Sequence, residues 1–117
     1  MAKLTDYVSY ADAQAQCSSA RLWELFDGDR EHLNIAHECV DRHAGSDRTA
    51  VIVLRADGSE VEFGFARLAD ESARVAHWLR ARGVGAGERV AVMQEPSLAF
   101  YAAMFGAMKA GAVAVPL

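Results

Sequence analysis

The chain has 117 residues, with 12 Lys and Arg against 16 Asp and Glu for a formal net charge of −4, and 52% of it is hydrophobic, which excludes a disordered tail. With 24% charged residues and no basic block, it lacks the electrostatic footprint that nucleic-acid binding requires. A chain of this length buries roughly 65% of its unfolded surface as one unit, enough for a single modest core.

Residues 1–30 read as an N-terminal extension. Trp23, Leu25 and Phe26 suggest a short packed helix before a turn at Asp27-Gly28-Asp29. The opening MAKLTDYVSYADAQAQ holds no apolar run of export-signal length, because polar residues interrupt it every few positions. Cys17 and Cys39 are too few for a disulfide framework, so reduced thiols and a cytoplasmic location are expected.

From residue 31 onward the pattern is that of one α/β domain. At 100° per residue, Leu33, Ala36, Val40 and Ala44 fall within about 80° of one another, which predicts a one-sided helix over His32–Ala44. Thr49–Arg55 is a β-branched run, Asp57-Gly58 marks a turn, and Glu60–Phe65 alternates polar and apolar residues, so a β-hairpin follows. Over Phe65–Arg82, Phe65, Leu68, Ala69, Ser72, Val75, Ala76 and Leu79 share one face, opposite Arg67, Asp70 and Arg74. Gly83 supplies the left-handed stop to this helix.

Arg89–Met93 then reads as a strand, Pro96 as the first turn of a helix running to Ala110, Gly111 as its stop, and Val113–Leu117 as a last buried strand. A strand, helix, strand order predicts a right-handed parallel crossover with both sheet faces covered. The helix is apolar nearly all round and the end strand needs neighbours, so the fold is an incomplete α/β one that asks for more protein. Residues 98–117 are long enough to span a bilayer, yet Lys109 near the middle would cost roughly 2.5–3.5 kcal/mol and Val113 and Val115 alternate as in a strand. No membrane span is expected; self-association through 98–117 is an alternative use of this surface.

The chemical constellations are thin. Gly83, Gly85 and Gly87 miss the dinucleotide fingerprint, since Glu88 stands where its third glycine belongs and the loop precedes a strand rather than a helix. Within the seven residues from His37 to His43, His37, Cys39, Asp41 and His43 are four candidate metal ligands. On one continuous helix, however, His37 and Asp41 lie about 160° from Cys39 and His43, so only two could converge. His32 and His77 have no carboxylate or cysteine at helical spacing to orient them as bases, and Asp70-Glu71 reads as an ordinary acidic helix surface. No serine or cysteine sits in a nucleophile elbow, and no catalytic, cofactor-binding or metal-binding residue is assigned.

From Leu33 to Leu117, however, the wording resembles the opening of the AMP-forming adenylating enzymes, the superfamily of acyl- and aryl-CoA synthetases. LNIAHECVDRHA matches the first helix, DRTAVIV the first strand, GFARLADESARVAHWLRARGVGAGERVAV the F-x-E-L to G-D-x-V stretch, and FYAAMFGAMKAGAVAVPL the K-A-G-A-V-x-V-P-L segment. Gly64 replaces the usual Thr or Ser, Arg67 a frequent Glu, and Glu88 an Asp. The resemblance implies an N-terminal piece of a larger domain, whose parent uses Mg-ATP to turn a carboxylic acid into an acyl-adenylate and passes it to coenzyme A. That chemistry implies a Ser/Thr/Gly-rich loop, an acidic motif and a late lysine, none of which occurs here; Lys109 matches the K of K-A-G-A instead. The piece is therefore expected to be inactive alone, the alternative being a stand-alone α/β binding or scaffold module that dimerises through its apolar helix and end strand.

Overall fold

The computed structural model describes residues 2–117. Two compact units divide at Leu33/Asn34. The first contains a 3-10 turn at Leu4–Asp6, α1 at Tyr10–Gln16 and α2 at Ser19–Trp23. Ser9 and Ser18 begin the two α-helices, their hydroxyl oxygens accepting from the amides of Asp12 and Arg21. Arg21 is buried, donating to the Tyr7 hydroxyl and the Gln16 amide oxygen, each at 3.3 Å, and to the Ala2 carbonyl. The helix expected around Trp23–Phe26 is displaced: α2 ends at Trp23, and Leu25 and Phe26 close a tighter turn by donating to the Leu22 and Trp23 carbonyls.

The second unit has α3 at Ile35–Cys39, a 3-10 turn at Asp41–His43, β1 at Thr49–Leu54, β2 at Glu60–Gly64, α4 at Phe65–Ala81, β3 at Arg89–Val92, α5 at Leu98–Lys109 and β4 at Val113–Pro116. β1 and β2 form an antiparallel pair with an irregularity between Thr49 and Val51. β3 and β4 form a separate parallel pair in the register Arg89–Val113 to Val92–Pro116. The α/β class, the hairpin and the parallel strand-helix-strand unit are as the sequence predicts.

Two boundaries differ for identifiable reasons. The single helix expected over His32–Ala44 is two short pieces: the Asn34 side-chain oxygen accepts from the Ala36 and His37 amides and starts α3 late. Val40 then leaves helical geometry at φ −125°, ψ −63°. Ala36 and Val40 still point inward, at 0% and 1% exposure. Before α5, Pro96 does not form the first turn; Ser97 caps the helix instead, its hydroxyl oxygen accepting from the Phe100 amide at 3.2 Å.

The core lies where α4 and α5 cross beneath the parallel strands: Ala76, Leu79, Ala107, Ala110 and Ala112, with Val75, Val84, Val90 and Ala114 against them. Gly83 and Gly111 end α4 and α5 with φ of 81° and 82°, the left-handed conformation that lets each chain turn sharply into a strand. No helix among the described residues is long and apolar enough to cross a membrane.

Candidate functional site

The residues singled out by sequence scatter into structural roles. The Asp41 carboxylate receives the Lys109 ammonium at 2.6 Å, and the same ammonium donates to the Ala69 carbonyl at 2.9 Å. One side chain of α5 thus ties the 3-10 turn after α3 to the first turns of α4. Glu38 is buried and paired with Arg42 at 2.6 Å, one helical turn on. The His43 ring lies 5.2 Å from that of Phe65, and its Nδ1 accepts from the Arg48 guanidinium at 3.1 Å. Cys39 and His37 are exposed, and both cysteines are free thiols.

Because the backbone breaks at Val40, the angular argument that separated His37 and Asp41 from Cys39 and His43 does not describe this segment. Asp41 and His43 are engaged by Lys109 and by Arg48 and Phe65 instead. Among the described residues no group of three His, Cys, Asp or Glu side chains could hold a metal ion.

His32 requires a correction. Asp29, three residues earlier, does orient it: Oδ1 stands 3.4 Å from His32 Nδ1 and accepts from the Glu31 and His32 amides at 2.9 and 2.8 Å. The His32 amide first, and the Glu31 amide second, hold the Asp29 carboxyl below the usual carboxylate range. Both side chains are well exposed, so this is an Asx turn and not a buried acid-base pair.

The loop Gly83–Gly87 is a helix-to-strand connection. Gly85 donates its amide to the Glu88 carboxylate at 2.5 Å and Gly87 to the Gly111 carbonyl at 2.9 Å. These amides are engaged within the protein, and no helix N-terminus adjoins them, so the loop does not fit a nucleotide phosphate. Asp70 is paired with Arg74 at 2.9 Å on the exposed side of α4.

A hollow of about 720 Å³ opens between the hairpin and the start of α5, with Leu54, Phe63, Pro96 and Leu98 on its walls and Arg55 and Glu95 as the charged residues among its described lining. It offers apolar surface but no convergent set of reacting groups. What sequence reasoning missed is the Asp41–Lys109–Ala69 junction. Its signal was present: one ammonium in an otherwise apolar helix must find an anion or a carbonyl to be buried at 13% exposure.

Residues 38–117 match the profile of the family described as AMP-binding enzyme. The acetyl-coenzyme A synthetase of Bacillus subtilis is 38% identical over 88 residues, covering 73% of this chain and 15% of that protein. That of Thiobacillus denitrificans is 35% identical over 98 residues, covering 82% and 15% respectively. Among solved structures, an acyl-CoA synthetase of Brucella canis superposes with a TM-score of 0.79 at 34% identity, over 90% of this chain and 20% of that one. The chain therefore spans less than a quarter of the length of each of these relatives.

Proposed function

Since the chain belongs to the AMP-binding enzyme family, we propose that it is the opening part of an AMP-forming acid-thiol ligase, which activates a carboxylate with ATP to an acyl-adenylate and then forms a thioester with coenzyme A. In this reading residues 1–30 are an extension and 31–117 begin the large α/β domain. The observation that carries it is the match over 38–117 taken with the small share of each relative that the chain covers. The residues present do not fit ATP or Mg²⁺, because the glycine loop is spent on internal hydrogen bonds and the carboxylates near α3 are paired with Lys109 and Arg42. No catalytic step is therefore assigned to them. Their contribution is to hold a parallel strand pair and its crossover helix in place, while downstream residues supply the phosphate loop and the catalytic lysine.

The reading includes a cytoplasmic enzyme and no activity from these 117 residues alone. Its test is ATP–pyrophosphate exchange with a panel of short, medium and aromatic carboxylic acids. The longer product read past codon 117 is expected to exchange and this chain is not. Exchange by this chain overturns the assignment, as does a longer product without a Ser/Thr/Gly-rich loop. A stand-alone module that self-associates through residues 98–117 is the second reading, favoured by the exposure of Val113 and Leu117, at 50% and 72%. Light scattering separates the two, a defined dimer supporting the second.

A further inference from the structure

The outward face of α4 is charged in a way the rest of the chain is not. Residues 65–82 hold four arginines against two acids, whereas the remainder holds eight basic residues against fourteen acidic ones. The two acids, Asp70 and Glu71, lie in the first half of the helix, and from Ser72 to Arg82 none occurs. At 100° per residue Arg74, His77, Trp78 and Arg82 fall within about 140° of one another, turned away from the buried Ser72, Ala76 and Leu79, and all four are exposed. Trp78 is 54% exposed; the Arg82 guanidinium stacks over its ring at 3.8 Å and donates to the Trp78 carbonyl at 3.4 Å. The helix dipole accounts for arginines in the last turns, and Arg80 is spent on the Lys109 carbonyl. Neither accounts for a half-exposed indole beside them. A face this charged is not one that a domain buries, so it lies at the exterior whether the chain is whole or part of a larger ligase.

We propose that the Arg74, His77, Trp78 and Arg82 face of α4 docks an acidic segment of another protein, one in which an apolar side chain lies among carboxylates. Tryptophan and arginine are the side chains on which protein contacts most depend, and a guanidinium meets a carboxylate with two parallel hydrogen bonds. Arg74 already holds Asp70 at 2.9 Å, but both side chains are well exposed, so that pair is weak and open to exchange. The partner's apolar side chain covers the open part of the indole. Charge complementarity selects this occupant over a membrane: the chain carries −4 overall and is repelled by an anionic bilayer, and the face has one large apolar side chain to insert.

The test follows chemical shifts, residue by residue, on the 117-residue chain titrated with a synthetic peptide in which pairs of glutamates alternate with single leucines. Saturable shifts are expected at the backbone amides of residues 74–82, with Val53 and Val61 in the hairpin unmoved. Joint Arg74→Gln and Arg82→Gln is expected to weaken binding about fivefold or more, and Trp78→Ala, with both arginines kept, about threefold. These side chains are exposed, and hairpin amides at their original positions show that the fold is kept. No saturable shift at 74–82, or binding undiminished in the double arginine variant, overturns the proposal. So does a loss on removing the arginines with none on removing Trp78, which reduces the face to unspecific charge attraction. A tighter response to phosphatidylserine vesicles than to the peptide overturns it in favour of a membrane surface.

Discussion

Gly106 on α5 sits so close to Val75 on α4 that a methyl group in its place would stand 2.6 Å from the Val75 Cβ and 2.9 Å from the Ser72 carbonyl oxygen. The two helices can touch there only because the side chain is a hydrogen atom. Ser72, wholly buried opposite it, returns its hydroxyl to the Leu68 carbonyl at 2.6 Å and so leaves no orphaned polar group at the contact.

Gly106→Ala is expected to lower stability by about 1–3 kcal/mol, since the clash is with the Val75 Cβ and a backbone oxygen, which no change of rotamer moves, and the helices must separate. Gly45→Ala, where nothing lies within 4 Å, serves as the control and is expected to stay within about 0.5 kcal/mol. Urea unfolding followed by circular dichroism reads both. Equal midpoints for the two variants would contradict the close approach.

Lys109→Met removes the ammonium that joins Asp41 to the Ala69 carbonyl while keeping an unbranched apolar stem of similar length. The Asp41 carboxylate and the carbonyl lose a charged donor, and a destabilisation of about 1–3 kcal/mol is expected. With Asp41→Asn as the second arm, a double-mutant cycle should show coupling of at least about 0.5 kcal/mol. Additive effects would mean that the short distance contributes nothing.

How much of this was legible in the sequence follows from the range of each interaction. The hairpin, α4 and the β3-α5-β4 unit were readable because their signals are local: alternation in Val61 and Phe63, a repeating apolar face from Leu68 to Leu79, and glycines that take positive φ at 58, 83 and 111. The late start of α3 after Asn34, the cap by Ser97 in place of Pro96, and the Asp29–His32 contact also depend on near neighbours. In each, a side chain that can bond the backbone outcompeted simple periodicity. The Asp41–Lys109 junction joins residues far apart in sequence, and no window along the chain contains both. Reactive groups could not be read for a different reason: charged candidates are consumed by pairings such as Glu38–Arg42, and among the described residues no group of three His, Cys, Asp or Glu side chains could hold a metal ion.

Gly64 begins α4 at φ −76°, ψ 163° with no side chain to cap it, and a Cβ added there meets only the Arg48 carbonyl at an ordinary 3.7 Å. Gly64→Ser should supply a hydroxyl to the first-turn amides and narrow the unfolded ensemble, raising stability by about 0.5–1 kcal/mol. Thermal melts check it, with Gly64→Ala expected to give only the part that comes from the unfolded chain. A serine variant no more stable than the alanine variant would show that no cap forms.

Asp57 at the tip of the hairpin accepts from the Ser59 hydroxyl at 2.6 Å and from the Ser59 amide at 2.9 Å. These two bonds, the hydroxyl first, hold its carboxyl below the usual range. A depressed native value gives the turn a contribution that is complete above the ordinary carboxylate pKa of about 3.9 and is lost as the pH falls through the lower native value. The Ser59 amide resonance should therefore move with a midpoint below about 3.9, while Val53 and Val61 in the paired strands stay fixed. Asp57→Asn keeps an acceptor and is expected to abolish the movement while preserving the turn, in which Gly58 holds φ 82° and the Arg55 amide donates to the Ser59 carbonyl at 2.8 Å. A Ser59 midpoint at or above the ordinary carboxylate value would show that these bonds do not favour the ionised form.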